Sequence, residues 1–356
     1  MSKTINLATK YSDKVQERFW TDSVTAGSFA TDLDMEFTGV KTVRVFDVDT
    51  APLGDYTRSG SSRYGTPAEL TDNTQEFVMS QDKAFTYTID KGNAKEQFNI
   101  KQAGTSLKRE IREVITPYID KYRMKVWAQK AGQIAGIAEP TKSTIGSLIM
   151  DATVALDDAQ VDANNRTLYI PSKYYKLLKL CDEFHYSDSL STAAVKNGTV
   201  PMFDSMTVKK VPSSYMPDNV YFVIAFKGVA ISPVKLQDYK IHSDPPGISG
   251  DLVEGRVIFD AFVKGTKANG IYVAAASAYV CAAPTVTFAT NVATMSSTTT
   301  DAVIQYTTDG SDPRYSPTAV TYNSASKPTI ASGDTVKAYA SKTGMYNSGI
   351  GSATNS

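Results

Sequence analysis

The chain has 356 residues, 42% hydrophobic and 21% charged, which excludes both global disorder and a helical membrane protein and allows a substantial core. Lys+Arg and Asp+Glu balance at 37 each, so the formal net charge is zero, against the basic excess of a dedicated nucleic-acid binder. A zero average still permits one basic and one acidic face.

This length fits two domains, or one large domain with an appendage. No apolar run approaches the roughly 20 residues that span a bilayer. The start, MSKTINLATKYSDKVQERFW, has charges where a signal peptide needs its apolar core. Cys181 and Cys281 are the only cysteines; far apart and without metal spacing, they read as reduced thiols of a cytosolic product.

Residues 1–36 read as an arm that orders against something else, with a short amphipathic helix near residues 14–19. Strands are predicted at 40–46 and 76–89. In the second, Phe77, Met79, Phe85, Tyr87 and Ile89 share one parity. Between them, residues 47–73 form a polar loop with YTRSGSSRYG at 56–65. A loop of this length inside a compact domain points to function or to a partner that stabilises it.

The strongest helix covers residues 105–131, where Leu107, Ile111, Val114, Ile115, Tyr118, Ile119, Tyr122, Val126 and Trp127 recur at three- and four-residue steps. Charged residues fill the opposite face, and Pro117 should kink or split the helix. A second helix is predicted over 143–156, with Ser143 or Thr144 as N-cap. A buried strand at 167–170 meets Pro171-Ser172 and a helix over 174–180. Residues 220–232 read as two apolar strands broken at Lys227-Gly228. Strands at 257–263 and 271–275, punctuated by 265–270, read as a packed hairpin.

After Ala282-Ala283-Pro284 the chain becomes Thr/Ser/Ala/Gly-rich and loses helical periodicity. Strands at 285–288, 303–306 and 336–340, with turns at Asp309-Gly310 and Gly333-Asp334, predict a small β-sandwich on a short linker.

Catalytic constellations are missing from this pattern. His185 and His242 are far apart and outside any metal-ligand spacing. Asp157-Asp158 and Asp182-Glu183 are adjacent pairs, which do not face each other on a helix. Neither a phosphate-cradling Gly loop nor a Gly-x-Ser-x-Gly elbow occurs. Asp309 and Asp312 offer two readings, a calcium loop or carboxylates that accept turn N–H groups; the turn chemistry favours the second. No cofactor or metal is expected, and no enzyme activity.

The order of arm, long loop, long helix, mixed α+β body and late strands resembles the major capsid protein of tailed bacteriophages, the Hong Kong 97 type of fold. RTLYIPSKYYKLL at 166–178, KGVAISP at 227–233 and GDLVEGRVIFDAFVKGTKANGIYVAAA at 250–276 carry the likeness. The tail, with YTTDGSDP at 306–313, Tyr322, GDTVKAYA at 333–340, Gly344 and Ser348, resembles the immunoglobulin-like modules of chitobiase-like enzymes. Those modules are accessories and bring no activity.

The resemblance implies an α+β capsid fold followed by an all-β immunoglobulin-like sandwich. It divides the chain into an N-arm (1–36), extended loop (37–93), peripheral domain with a spine helix (94–158 and 256–282), axial domain (159–255) and outward-facing decoration (285–356). It implies self-assembly into hexamers and pentamers of an icosahedral virion shell, built in the host bacterial cytoplasm around double-stranded DNA bound without sequence specificity. Separate scaffolding, portal and decoration proteins would be partners, and no membrane. Some relatives crosslink a Lys to an Asn; Lys83 and Lys91 lie in the matching region, and no catalytic residue is carried over.

Within that frame Tyr56, Arg58, Arg63 and Tyr64 are candidates for contact with a neighbouring subunit. Arg pairs bidentately with carboxylates, and Tyr gives large area at low entropy cost. Tyr306, Tyr315 and Tyr322 are candidates for weak glycan contact, against the plainer reading of core tyrosines. Two alternatives stay open: an encapsulin-type nanocompartment shell, and a surface glycan-binding protein using the tail.

Overall fold

A computed structural model of the chain describes residues 23–25, 27, 36–38, 42–48, 53–59, 63–65, 72–92, 103–181 and 202–356. Strands β1 (Glu36–Thr38), β2 (Thr42–Val48), β3 (Asp72–Val78) and β4 (Gln81–Asp90) come first. Helix α1 (Ala103–Glu110) runs through a π-turn at Ile111–Ile115 into α2 (Thr116–Lys130). Then follow β5 (Gln133–Ile137), α3 (Ile145–Asp158), β6 (Arg166–Pro171) and α4 (Ser172–Leu180). After them come β7 (Met202–Phe203), β8 (Met206–Val211), β9 (Val220–Phe226), β10 (Ala230–Ile231), β11 (Val234–Ser243), β12 (Gly250–Phe259), β13 (Phe262–Val263) and β14 (Ile271–Ala276). The chain closes with β15 (Thr285–Ala289), β16 (Val292–Ser296), β17 (Val303–Thr307), β18 (Val320–Thr321), β19 (Thr335–Ser341) and β20 (Gly351–Thr354). The helix expected near residues 14–19 lies outside the described residues.

The described residues fall into two compact units. The smaller takes the stretches 30–104 and 232–262 and holds two three-stranded antiparallel sheets, β1-β2-β3 and β11-β12-β4. The single strand expected over 76–89 is two strands, divided at Met79-Ser80. Asp260, 2% exposed, holds that division by accepting Ser80 N at 2.7 Å and Ser80 Oγ at 3.0 Å. The predicted parity survives the break: Phe77, Phe85 and Tyr87 are half-buried, and Met79 and Ile89 buried. Phe77 stacks on Phe262 at 4.7 Å. Gly255 pairs with Phe85 on one side and Tyr239 on the other, and a Cβ there would sit 2.2 Å from the Phe85 ring. Only glycine leaves room for aromatics on both neighbours.

The larger unit contains 105–231, 263–356 and the short piece at Ser23–Thr25. Its centre is a six-stranded sheet in the order β5-β14-β9-β6-β8-β7. Two neighbouring pairs are parallel (β14 with β5, β6 with β8) and the other three antiparallel, so the sheet is mixed. The hairpin expected from 257–263 and 271–275 does not form: β12 pairs with β11 and β4, whereas β14 pairs with β5 and β9. The segment between them, Gly265–Gly270, is a 3-10 helix rather than a hairpin turn. Apolar strands specify burial without naming a partner, which is why the local pattern misled.

Alternate residues of the sheet feed two separate cores. Tyr169, Val223 and Val273 pack with Trp127, Met124 and Ala128 of α2. Leu168, Phe222, Ile224 and Ala274 pack with Ile145, Ile149 and Leu156 of α3 and Leu178 of α4. The result is a layer of sheet between helices, with period two on the strands matched to period 3.6 on the helices.

The long helix is split near Pro117, as expected, and departs from expectation in its pattern. The α-helix gives way to the π-turn at Ile111–Ile115 and restarts at Thr116 with Pro117 in its first turn, and Thr116 sends both its N–H and its Oγ1 (3.1 Å) to the carbonyl of Ile111. A proline cannot donate to a carbonyl four residues back, and the wider turn absorbs that loss. The extra residue in the turn also rotates the pattern. Val114 and Tyr118, expected on the buried face, are exposed at 48% and 43%, while Asp120, expected on the polar face, is 1% exposed. For α3, Thr144 is the N-cap residue as read, but its hydroxyl accepts the Thr141 N–H at 3.0 Å instead of capping the helix.

The tail forms the expected two-sheet sandwich, β15-β16 against β18-β17-β19-β20. Ala293, Met295, Ile330, Val336 and Ala338 fill the space between the sheets, with Val286, Phe288, Ile304, Tyr306 and Tyr322 around them.

Candidate functional site

The predicted contact loop lies between β2 and β3, bounded by Val48 and Asp72, so both strands extend into the stretch read as loop. Thr57 N donates to the carbonyl of Arg63 at 3.0 Å, which closes the tip. That closure brings Tyr56 and Tyr64 edge to face at 5.1 Å. Tyr64 is 91% exposed, Tyr56 52%, and Leu53 stands fully in solvent. Arg58 and Arg63 are also exposed. The sequence-predicted residues thus meet at one tip: the paired rings of Tyr56 and Tyr64, with exposed Arg58 and Arg63 on the same closed turn. Arginine side chains pair bidentately with carboxylates, and tyrosine rings offer flat apolar area.

The other candidates separate. Tyr306 and Tyr322 face each other edge-on at 6.4 Å beside the sandwich core. Tyr315 packs against the core under α2 instead. Asp309 accepts Ser311 Oγ at 2.5 Å, Ser311 N at 3.0 Å and Thr318 Oγ1 at 2.7 Å. These bonds to the charged form, the Ser311 hydroxyl first, lower its pKa to about 2. Asp312 grips the Arg314 guanidinium through Nε (3.0 Å) and Nη2 (2.7 Å). Both aspartates therefore serve turns, and among the described residues no group of three acidic, His or Cys side chains could hold a metal.

His242 lies 3.4 Å from Glu254 on the surface, and His185, Asp182 and Glu183 fall outside the described residues. Cys181 and Cys281 are buried and not joined in a disulfide. Asp157 pairs with the buried Arg166 at 2.6 Å. Lys91 pairs with Asp244, and Lys83 is exposed on β4.

Two features escaped sequence reading. The first is an anchor at Asp120, whose carboxylate accepts Ser23 Oγ (2.8 Å), Val24 N (2.9 Å) and Thr25 Oγ1 (2.5 Å). Arg123 bonds Thr25 Oγ1 at 3.0 Å and Lys209 reaches the Val24 carbonyl at 3.3 Å. A short piece of the N-terminal stretch is thereby fastened to α2.

The second is a seam between the sandwich and the C-terminal end of α2. Arg314 Nη1 donates to the Gly132 carbonyl at 2.6 Å, and Tyr315 Oη to that of Lys130 at 2.6 Å. Asn347 reaches the Gln129 carbonyl at 3.5 Å, and Tyr346 Oη donates to that of Asp218 at 2.6 Å. The last carbonyls of a helix lack intrahelical donors and carry the negative end of its dipole. Tyr315 and Asn347 of the tail donate to carbonyls of that last turn, and the Arg314 cation lies against the Ala131 and Gly132 carbonyls just past it. Burial raises the pKa of Tyr315, and it lifts Tyr346 to about 12. The DGSDP turn is the platform that aims Arg314.

No family model and no curated protein matches the chain. Solved structures do. The capsid structure of the cyanophage P-SCSP1u aligns with a TM-score of 0.61 at 12% identity, covering 76% of this chain and 92% of that one. The head structure of Helicobacter pylori bacteriophage KHP40 aligns at 0.57 and 9%, covering 76% and 95%. A Mycobacterium phage Che8 structure aligns at 0.58 and 16%, covering 75% and 96%. At such identities the likeness is one of fold. The chain has the mixed α+β fold, few helices and many strands, of phage capsid structures. Among the described residues no helix is long and apolar enough to cross a membrane.

Proposed function

We propose that this chain is a major capsid protein, a Hong Kong 97-type subunit that assembles into an icosahedral shell around phage double-stranded DNA. The carrying observation is the fold match, which takes in more than nine-tenths of the chains from a cyanophage capsid structure and a phage head structure. Supporting it is the exposed tip, where an aromatic pair and two arginines stand in solvent on a long excursion. A lone subunit does not bury such a surface, whereas many weak repeated contacts close a shell cooperatively. The C-terminal sandwich is an immunoglobulin-like module displayed on the outer face. DNA is met at the phosphate level without sequence reading, and scaffolding and portal proteins are separate partners. The chain acts by geometry and not by catalysis.

Electron microscopy of the full chain expressed with its neighbouring genes tests this reading. Closed icosahedral particles containing nuclease-protected DNA are expected. Particles filled with protein cargo would indicate a nanocompartment shell, and a persistent monomer would overturn the assignment.

A further inference from the structure

The two helices on one face of the central sheet are charged in opposite senses. Helix α3 has Asp151, Asp157 and Asp158 and no basic residue; α4 has Lys173, Lys176 and Lys179 and no acidic one. On α3 the residues opposite the buried Ile145–Ile149–Leu156 stripe form one exposed row of Ser147, Asp151, Val154 and Asp158, with Met150 beside it. Val154 and Met150 are 56% and 40% exposed, and on α4 Leu180 is 46% exposed. Lys210 of β8 stands over Tyr175 at 5.8 Å, adding a second exposed cation beside Lys176.

Three of these charges sit at unfavourable ends of their helices, Asp157 and Asp158 in the last turn of α3 and Lys173 in the first turn of α4. Acidic side chains in a last turn and a lysine in a first turn both oppose the dipole. Lys173 is relieved by Glu139 at 2.5 Å, and Asp157 by Arg166. Asp158 has no such partner among the described residues, and Lys176, in the middle of α4, is exposed and likewise outside any ion pair there. Charges that break a local rule without internal compensation are expected where function is served.

We infer that the α3 row of one subunit seats on the α4 face of a second copy, Asp151 and Asp158 against Lys176 and Lys210, with Met150, Val154 and Leu180 closing the apolar middle. The two faces differ, so the contact is head to tail, and repetition around an axis closes a ring. It names a subunit contact within the shell proposed above and rests on that reading.

Charge reversal in the full chain tests it. Asp151→Lys with Asp158→Lys, or Lys176→Glu with Lys210→Glu, should lower the assembled fraction at least tenfold in sedimentation while circular dichroism shows folded subunits. A variant carrying all four substitutions should recover assembly, because the charges exchange roles. In a second experiment, Val154→Cys with Lys176→Cys should give a ladder of crosslinked oligomers on oxidation. Dimers alone, no crosslinking, or reversal variants that assemble like the natural chain would overturn this contact and leave the shell reading intact. If the natural chain forms no particles at all, both fall together.

Discussion

The carboxylate of Asp120, 1% exposed on α2, accepts the main-chain N–H of Val24 at 2.9 Å. One side chain thus supplies the partner for a buried backbone donor and two hydroxyls, with Arg123 3.8 Å away offsetting its charge. Removing one member of a buried charged network leaves the rest unpaired, at a cost of about 3–5 kcal/mol. Asp120→Ala should lower stability by that order in urea unfolding. Limited proteolysis should cut near residues 23–27 first, while Asp120→Asn, which keeps two acceptor positions of the carbonyl, should lose less.

Arg314 is the equivalent element at the seam. Its side chain is 4% exposed, and it bridges Asp312 to the Ala131 and Gly132 carbonyls just past α2. Arg314→Ala should destabilise the chain by about 2 kcal/mol, the order for a charge-assisted bond lost with its partner partly solvated. Hydrogen exchange of the last turn of α2 should quicken together with that of the sandwich. A tail loosely tethered to the body would leave α2 exchange unchanged.

Alkaline pH should act on the same seam. Tyr315 and Tyr346 have pKa values raised by burial, Tyr346 to about 12, from an ordinary value of 10.0. A group whose folded pKa is raised contributes its stability fully below the unfolded pKa and loses it as pH climbs toward the folded value. The docking contribution is therefore constant to about pH 10 and falls above it. Absorbance titration near 295 nm should show late-ionising tyrosines, fewer in Tyr315→Phe and Tyr346→Phe, with stability declining over the same window.

Gly132 links helix, seam and 3-10 segment. It donates to the Ala268 carbonyl at 2.9 Å, and a Cβ on it would lie 2.3 Å from the Ala268 carbonyl carbon. The obstructing atoms are backbone and have nowhere to move. Gly132→Ala should cost about 1–3 kcal/mol, as overpacking does, and lower the thermal midpoint.

The tip behaves oppositely. Tyr56→Ala with Tyr64→Ala removes exposed side chains whose mutual contact is the edge-to-face pair, so stability should move by about 0.5 kcal/mol or less. Particle yield should collapse. Normal shells from this variant, or from deletion of residues 56–65, would remove the role assigned to the loop.

Sequence alone determined the long helix, the β6–Pro171–α4 step, the strands of the tail and the gathering of arginine and tyrosine at the tip. Each rests on local physics: periodicity, the fixed φ of proline, turn residues and composition. Its limits were equally physical. Alternation in 76–89 was legible, but the break at Ser80 depends on Asp260, far along the chain. Apolar runs at 257–263 and 271–275 promised burial and misdirected the pairing, because a strand's partner is chosen by the whole sheet. Asp120 looked like a surface residue until a π-turn rotated it inward, and Arg314 had no signal until a helix end was placed against it. Both are buried charges held by main-chain groups, and main-chain donors and acceptors look alike in every sequence. Only the tertiary structure decided which of them lacked a partner and which side chain would supply it.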